Sequence, residues 1–275
     1  METIFLNPEN LSFWQQQARP SVMALGFFDG IHKGHREVIG TAKQIAKENH
    51  LLLSVMTFFP HPKTVLSNGK TKVDYLIPLS EKEKLLSGLW VDIFYIVEFD
   101  RDFSSLSPEV FAAKYLINLG VVHAVAGFDY TYGFRGQGNM DRLKKDSGGT
   151  LEVTKVEKVE LNGEKISSTL IRERLLKGLV EELPALLGCP YEVACEWDGE
   201  SLKAKPYYTL PAPGRYKVKL NNENQTQEIL VNGDNELIPL RGPIVNDVSI
   251  VWCKRIGDAP FEFRQDQGML ARLII

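Results

Sequence analysis

The chain has 275 residues, of which 44% are hydrophobic and 24% charged, and its net charge is −3 at pH 7. This composition is typical of a globular protein with one large or two smaller domains, and the small negative charge gives no reason to expect a nucleic-acid partner. Residues 1–10 lack the pattern of a signal peptide, and no run approaches the roughly 20 apolar residues of a membrane span, so we predict a cytoplasmic protein without membrane contact.

The chain begins with an alternation of strands and helices. Residues 21–25 form an apolar run that ends at Gly26, residues 35–48 carry apolar side chains at helical spacing, and residues 51–58 are again strand-like. A strand, a glycine-rich turn, a helix and a strand in that order predict a βαβ unit. The expected fold is therefore an α/β, Rossmann-like domain with a parallel sheet and right-handed crossovers.

This alternation continues over the next hundred residues. A capping box that starts at Ser80 predicts a helix, and Ser107 predicts another, which Gly120 ends. Further strands are predicted at residues 92–97, 121–126 and 151–156. Asn162-Gly163 indicates a hairpin turn, and a short helix follows at residues 169–177.

After residue 187 the helical periodicity disappears. Prolines and glycines separate short alternating runs, with strands predicted at residues 216–220, 228–231 and 248–254. We therefore predict a small antiparallel β-barrel-like domain at residues 188–275, after an α/β domain at residues 1–187. Three cysteines without CxxC spacing favour thiols in a reducing compartment over disulfides or a zinc site.

Two histidines follow the first predicted strand, in the segment GFFDGIHKGH at residues 26–35. His32 and His35 are three residues apart, hence on one side of a first helical turn, and Gly34 lets a ligand approach the backbone between them. Imidazoles at a helix N-terminus can donate hydrogen bonds to phosphate oxygens. Alternatively, one histidine belongs to the core and the other to the surface. Asp29 either contacts substrate or hydrated Mg²⁺, or caps the turn.

A second segment, ISSTLIR at residues 166–172, combines three hydroxyl side chains with an arginine one turn later. The simple interpretation is an N-cap in front of a helix. Three consecutive hydroxyls exceed the need of a cap, however, and Arg172 faces the same side as Thr169, where it could fork onto a phosphate. Both interpretations stay open from these residues alone.

Two further loops follow predicted strands. His61 lies between two prolines after residues 57–59, where nearby aromatic rings could stack on a flat ligand, or the segment is a proline turn with an exposed histidine. Asp129, Tyr130 and Arg135 follow the strand at residues 121–126. Because ligands bind at the carboxyl ends of parallel strands, one cleft could gather these loops.

Together these segments resemble the bacterial FAD synthetases, the bifunctional riboflavin kinase/FMN adenylyltransferases, over residues 21–191. The matching segments are FDGxHxGH at residues 28–35, TFxPHP at 57–62, GFDYTYG at 127–133, ISSTxIR at 166–172 and LLGCPY at 186–191. Five segments in the family's order make the resemblance specific, whereas HxGH alone would indicate only the wider nucleotidyltransferase superfamily.

The resemblance implies an FMN adenylyltransferase that makes FAD and pyrophosphate from FMN and ATP with Mg²⁺. It implies catalytic roles for four residues: His32, His35, Ser168 and Arg172. We assign ATP binding also to Gly26, Phe27, Asp29, Gly34, Ser167 and Thr169. We assign flavin binding to Phe59, His61 and Asp129 and, because they share the loop of Asp129, to Tyr130 and Arg135. No side chain is assigned as a protein ligand of the metal.

The C-terminal part departs from the family. The kinase module should begin after Tyr191 with a glycine-rich GxxxGRxLGFPTAN segment, but residues 192–205 read EVACEWDGESLKAK. LPAPGRYKV at residues 210–218 still resembles a strand of the kinase barrel. We therefore predict a degenerate kinase-like barrel without riboflavin kinase activity. The alternatives are another HxGH nucleotidyltransferase and a non-catalytic flavin-binding or flavin-sensing protein.

Overall fold

The structure of the protein is a computed structural model that describes residues 1–71, 73–197, 202–221, 225–240 and 248–258. Its contacts divide the chain into two compact units, the first comprising Met1–Asp74 and Leu79–Ile166 and the second comprising Tyr75–Pro78 and Ser167–Ile275. The boundary predicted between residues 187 and 188 separates sequence modules and not these contact-defined units, so it stays a prediction.

The first unit is built on a parallel sheet. Its strands, including two short ribbons, are β1 (Glu2–Leu6), β2 (Ser21–Leu25), β3 (Leu52–Phe59), β4 (Ile93–Glu98), β5 (Val121–Gly127), β6 (Thr131–Tyr132), β7 (Gly138–Asn139), β8 (Glu152–Val156), β9 (Glu160–Leu161) and β10 (Glu164–Lys165). The sheet has the order β1–β4–β3–β2–β5–β8, and every pair in it is parallel. The predicted parallel sheet is therefore confirmed.

Helices cover both faces of this sheet. They are α1 (Leu11–Gln16), α2 (Lys33–Glu48), α3 (Pro62–Leu66), α4 (Leu79–Gly88), α5 (Arg101–Ser104), α6 (Pro108–Phe111) and α7 (Leu143–Asp146). Helix α2 buries Val38, Ile39, Ala42 and Ala46 against β2 and β5, as its helical spacing predicts. Strand β2 is buried along its whole length because both faces of a parallel sheet are covered.

The helix that begins with α6 shows how local sequence sets its limits. The Ser107 side chain accepts a hydrogen bond from the Val110 amide, and Pro108 occupies the first helical position, as predicted. The chain continues as a π-helical turn and a 3-10 turn, and Gly120 ends it with φ +75°. The helix at Ser80 differs from the expectation, because it begins one residue earlier at Leu79 and Ser80 lies inside it.

The second unit contains two helices and a closed antiparallel barrel. Its elements are α8 (Ser168–Leu176), α9 (Leu183–Leu187), β11 (Glu192–Trp197), β12 (Leu202–Ala204), β13 (Gly214–Leu220), β14 (Thr226–Val231), β15 (Leu237–Pro239) and β16 (Val248–Gly257). The barrel has the order β11–β12–β15–β14–β13–β16, and β16 closes it onto β11. Tyr216 and Trp252 are fully buried with their ring centroids 5.2 Å apart. The predicted antiparallel barrel is thus confirmed.

Residues 75–78 belong to the second unit through two buried hydrogen bonds. The Tyr191 hydroxyl donates to the Leu76 carbonyl at 2.7 Å, and the Thr209 hydroxyl donates to the Tyr75 carbonyl at 2.7 Å. Among the described residues, no helix combines the length and apolarity needed to cross a lipid bilayer.

Gly120→Ala should destabilise the protein by at least about 2 kcal/mol. Its backbone is left-handed at φ +75°, and an added Cβ would lie 2.7 Å from the Arg19 carbonyl oxygen. The matched control is Gly40→Ala, in the middle of α2, where nothing lies within 4 Å of the added carbon. The control should stabilise the protein by about 0.5–1 kcal/mol, since alanine favours helix more than glycine does. Urea unfolding measures both effects, and a stable Gly120→Ala protein would contradict the expectation.

Candidate active site

The candidate site lies at the carboxyl edge of the sheet in the first unit. Strand β2 sits between β3 and β5, and the chain leaves β2 toward β3 on one side before it returns to β5 on the other. This reversal is the topological switch point at which open α/β sheets bind ligands. The loops after β2, β3 and β5 are those that carry the predicted histidine, proline and aspartate segments.

The turn from β2 to α2 has an unusual backbone. Gly30 has a left-handed backbone conformation, and so do Phe28 at φ 51° and Ile31 at φ 41°. Residues with bulky side chains rarely adopt this conformation. Both side chains are fully buried, and this packing holds the backbone in place. A Cβ on Gly26 would lie 3.0 Å from the Phe28 ring, so the turn leaves no room for a side chain there.

His32 is the N-cap of α2. Its Nδ1 accepts a hydrogen bond from the His35 amide at 3.2 Å, so Nδ1 is unprotonated and the proton of a neutral ring lies on Nε2. The His32 and His35 rings are stacked, with centroids 3.6 Å apart and planes 16° from parallel. Both predicted imidazoles are therefore on one side of the first helical turn, and His35 Nδ1 is buried without a partner among the described residues.

The same turn presents backbone donors. The first turn of a helix leaves its N–H groups without intrahelical acceptors, and α2 is long enough to add a helix dipole. A Cβ on Gly34 would lie 3.2 Å from the His32 ring and 3.6 Å from the Ile166 carbonyl oxygen. Because Gly34 lacks this carbon, the backbone between the histidines stays accessible to an anion.

Both histidines are neutral near pH 7. Burial, and next the Lys165 ammonium, lower the pKa of His32 from 6.5 to about 4, against an opposing contribution from Asp129. Burial also lowers the pKa of His35 well below its ordinary value, and the neighbouring His32 acts in the same direction. The Lys82 and Lys165 ammonium groups depress it further. The pair therefore offers N–H donors and not positive charge.

The Lys82 ammonium places a positive charge next to the turn after β2. The sequence alone did not identify this lysine as a site residue. Its side chain is 2% exposed, and its ammonium donates to the Phe27 carbonyl at 2.7 Å and to the Thr57 hydroxyl at 3.2 Å. Burial lowers the pKa of Lys82 to about 8, while the buried Asp29 raises it, so the group is cationic at pH 7. A lysine four residues before Leu86, on the buried face of α4, was the signal available in the sequence.

Phe27 joins this lysine to the loop after β3. Its ring lies 4.7 Å from the Lys82 ammonium and meets the His61 ring edge-on at 4.3 Å. His61 is the N-cap of α3, and its Nδ1 accepts from the Lys63 amide at 3.0 Å. Phe59 ends β3 at the same edge of the sheet. The predicted ATP-binding turn and the predicted flavin loop are thus in direct contact.

The loop after β5 contributes an ion pair. Asp129 accepts a hydrogen bond from the Lys165 ammonium, which also lies 4.6 Å from the centre of the Phe128 ring. Both charges act on His32, so this pair belongs to the electrostatic surroundings of the histidines. Lys165 carried no signal in the sequence beyond its place directly before the hydroxyl segment.

Two predicted flavin residues are placed differently. Tyr130 packs against the core of the sheet, and its buried hydroxyl has no partner among the described residues. Burial raises the pKa of this phenol. Arg135 lies on an exposed turn with its guanidinium over the Phe134 ring at 5.0 Å. None of the described contacts of these two residues reaches the histidine pair.

The three hydroxyl residues and Arg172 belong to the second unit, which resumes at Ser167. The Ser167 side chain accepts from the Leu170 amide at 3.2 Å, so it is the N-cap of α8. Ser168 and Thr169 form the first turn of this helix, and Arg172 is half-buried one turn later. Ser167 thus performs the capping role, while the other hydroxyls and Arg172 exceed what a cap needs.

Among the residues that the structure describes, no group of three or more His, Cys, Asp or Glu side chains could hold a metal ion. Asp29, in the turn between β2 and α2, is buried and raises the pKa of the Lys82 ammonium.

A Rossmann-like parallel sheet with two imidazoles at the N-terminus of the helix after β2 is typical of a nucleotide-binding α/β protein. A family model described as FAD synthetase matches residues 14–170, more than half of the chain. This chain belongs to the FAD synthetase family, as the resemblance of the five segments predicted.

Named relatives agree with this assignment. The bifunctional riboflavin kinase/FMN adenylyltransferase of Listeria monocytogenes is 42% identical over 239 residues, which cover 82% of this chain and 76% of that protein. The Bacillus subtilis protein of the same name is 48% identical over 191 residues, which cover 70% of this chain and 60% of that protein. A crystal structure described as a macrolide-efflux protein from Streptococcus pneumoniae has a TM-score of 0.78 at 30% identity, covering 93% of this chain and all of that chain (100%).

The buried neutral His32 should make the protein sensitive to acid. An unfolded histidine binds a proton near pH 6.5, whereas folded His32 does so only near pH 4, so stability falls as the pH drops through this window. The loss from His32 should reach about 3 kcal/mol. In His32→Asn, which keeps an N-cap acceptor, urea unfolding between pH 7 and pH 4.5 should show a smaller loss. Parallel pH profiles of the two proteins would contradict this expectation.

Proposed function

We propose that this chain is an FMN adenylyltransferase that converts FMN and ATP into FAD and pyrophosphate, and that it lacks riboflavin kinase activity. The observation that carries the proposal is the stacked, neutral His32–His35 pair at the N-terminus of α2, in a chain that belongs to the FAD synthetase family. The FMN phosphate would attack the α-phosphorus of ATP, forming the new P–O bond as pyrophosphate departs.

This reaction suits a site without a general base. A phosphate monoester has a second pKa of about 6, so the nucleophile is already largely ionised at pH 7. The site has to align the two phosphates and stabilise the charge that grows on the leaving pyrophosphate. His32 would donate from Nε2, the nitrogen that its capping bond leaves protonated, and His35 would donate beside it.

The cations would supply the remaining stabilisation. Lys82 holds a positive charge behind the phosphate-binding turn, where the low local dielectric strengthens its field. From the family resemblance, Ser168, Thr169 and Arg172 would close on the phosphates from α8. The Ile166 carbonyl near Gly34 directly precedes this segment in the chain, which supports the proposal.

Mg²⁺ would enter as part of the Mg·ATP substrate. The ion keeps several waters and takes phosphate oxygens readily, so it does not need a protein cage. The flavin would lie on the side of Phe59, His61 and Asp129, whose loops leave the same sheet edge.

The barrel supports the loss of the kinase reaction. Strands β11 and β12 pair antiparallel with Cys195 opposite Ala204, so most described residues of the segment expected to carry a glycine-rich phosphate loop lie in strands. Residues 198–201 of this segment lie outside the described residues. Neither the described strands nor the intervening sequence contains the Thr-Asn pair of the family's kinase motif.

A paired assay tests both parts of the proposal. The purified chain with ATP and Mg²⁺ should convert FMN to FAD with release of pyrophosphate, and it should form no FMN from riboflavin. Chromatography of the flavins and a pyrophosphate assay measure the two results. Bound flavin without pyrophosphate would favour a flavin-sensing protein, adenylylation of another phosphate would favour a different nucleotidyltransferase, and FMN made from riboflavin would contradict the loss of kinase activity.

His35→Ala should lower kcat by about 10²–10³ and change FMN affinity much less, because it removes a donor needed as charge develops on the leaving group. His50→Asn is the matched control, since His50 is exposed beyond the end of α2 and asparagine tolerates its left-handed backbone at φ 54°. Steady-state kinetics with both substrates measure the effect. A variant as active as the wild type would remove His35 from the mechanism.

A further inference from the structure

The barrel makes a set of contacts that its lost kinase motif does not explain. They all converge on the carboxyl end of α8, the helix that begins with the hydroxyl segment. Within the second unit, this helix end receives hydrogen bonds from the loop before β13 and from a side chain on β16.

Two carbonyls in the last turn of α8 accept hydrogen bonds from the residues that directly follow the helix. Gly178 is left-handed at φ +73°, its amide donates to the Leu175 carbonyl at 2.8 Å, and the Leu179 amide donates to the Arg174 carbonyl at 2.9 Å. This pair of bonds is the Schellman motif, which satisfies carbonyls that a helix end leaves open. The Lys177 carbonyl lies beyond the reach of this motif.

Arg255 on β16 supplies the missing donor. Its guanidinium donates to the Lys177 carbonyl at 3.0 Å and to the Pro213 carbonyl at 3.0 Å, and it pairs with Asp258 at 2.9 Å. A cation at the carboxyl end of a helix is also favoured by the helix dipole. One side chain of the barrel therefore holds both the end of α8 and the loop before β13.

Two glycines, Gly178 and Gly214, leave the space that the Arg255 guanidinium occupies. A Cβ on Gly178 would lie 2.7 Å from Arg255 Nη1 and 2.6 Å from the Tyr216 hydroxyl, and a Cβ on Gly214 would lie 3.1 Å from Arg255 Nε. The guanidinium thus occupies a slot between two glycines. The Tyr216 hydroxyl donates to the Ala212 carbonyl at 2.6 Å, and the Ala212 amide donates to the Leu175 carbonyl at 2.9 Å.

We propose that the barrel serves the adenylyltransferase reaction by fixing α8, with Arg255 as a positioning residue for the nucleotide-binding groups Ser168, Thr169 and Arg172. This inference rests on the proposed function of those groups. Arg255 itself acts at the opposite end of the helix and touches no substrate. Because a helix of nine residues moves as a rigid rod, holding its carboxyl end limits the positions of its first turn.

The test compares Arg255→Met and Arg255→Lys in the full chain. The matched control is Arg215→Met, since Arg215 is exposed on β13 and no described hydrogen bond joins its side chain to α8. Arg255→Met should raise KM for ATP or lower kcat, with an overall loss in kcat/KM for ATP of about tenfold, the order of one coupled interaction. KM for FMN should stay within about twofold of the wild-type value. Arg255→Lys should lower kcat/KM for ATP less than Arg255→Met does, because the lysine ammonium can replace part of the hydrogen bonding of the guanidinium.

Amide hydrogen exchange of the ligand-free protein gives a readout besides activity. In Arg255→Met the amides of residues 175–180 should exchange about tenfold faster, while those of β2 should keep their wild-type rates and show that the chain is folded. Wild-type exchange and unchanged ATP kinetics in Arg255→Met would overturn the inference, and so would equal effects on ATP and FMN. A wild-type chain that makes no FAD would instead overturn the proposed function.

Discussion

Lys82 brings a positive charge into the interior of the sheet unit, and the turn after β2 is organised around it. The Phe27 carbonyl accepts from this ammonium and from the Thr57 hydroxyl, so three elements of the chain meet at one oxygen atom. A lysine removed from water is costly unless hydrogen bonds and an opposite charge compensate, and Asp29 supplies that charge. The position of the turn, and with it the start of α2, depends on this buried cation.

Around the start of α2, the histidines provide directed hydrogen-bond donors and the lysines provide the positive charge. Two imidazolium rings with centroids 3.6 Å apart would repel each other, so the stacked His32–His35 pair cannot carry two charges, and burial lowers the pKa of each ring so that both are neutral near pH 7. Neutral rings have fixed tautomers and give directed N–H donors. Positive charge comes from Lys82, which hydrogen bonds to the Phe27 carbonyl, and from Lys165, which is paired with Asp129. An anionic substrate would therefore meet donors that need little rearrangement.

Most of the fold could be predicted from local sequence signals, whereas the elements that depend on tertiary contacts could not. Apolar periodicity and capping residues gave β2, α2 and the helix that Gly120 ends, because these features depend on neighbouring residues. Strand β1 was not predicted, since it exists only by pairing with β4 at the sheet edge. Of the predicted site residues, His32 and Ser167 are each the N-cap of a helix, a position that local sequence signals indicate, and their roles stay predictions.

The site residues that escaped prediction depend on tertiary contacts. Lys82 is 55 residues from the carbonyl that it contacts, and Lys165 is 36 residues from its partner Asp129. Charge and chain order alone cannot show that such residues converge. Tyr130 and Arg135 were assigned by their loop, yet one ring faces the core and the other side chain lies exposed.

The attachment of α8 to the barrel also bears on how the chain can be shortened. A cut after residue 187 follows the predicted module boundary, but it would remove Ala212 and Arg255. The Lys177 carbonyl would then lose the Arg255 donor, and the Leu175 carbonyl would keep only its bond from the Gly178 amide. In the retained fragment the last turn of α8 would lack these partners and would open more easily. A shortened chain that is meant to keep α8 intact should therefore retain the barrel through Arg255.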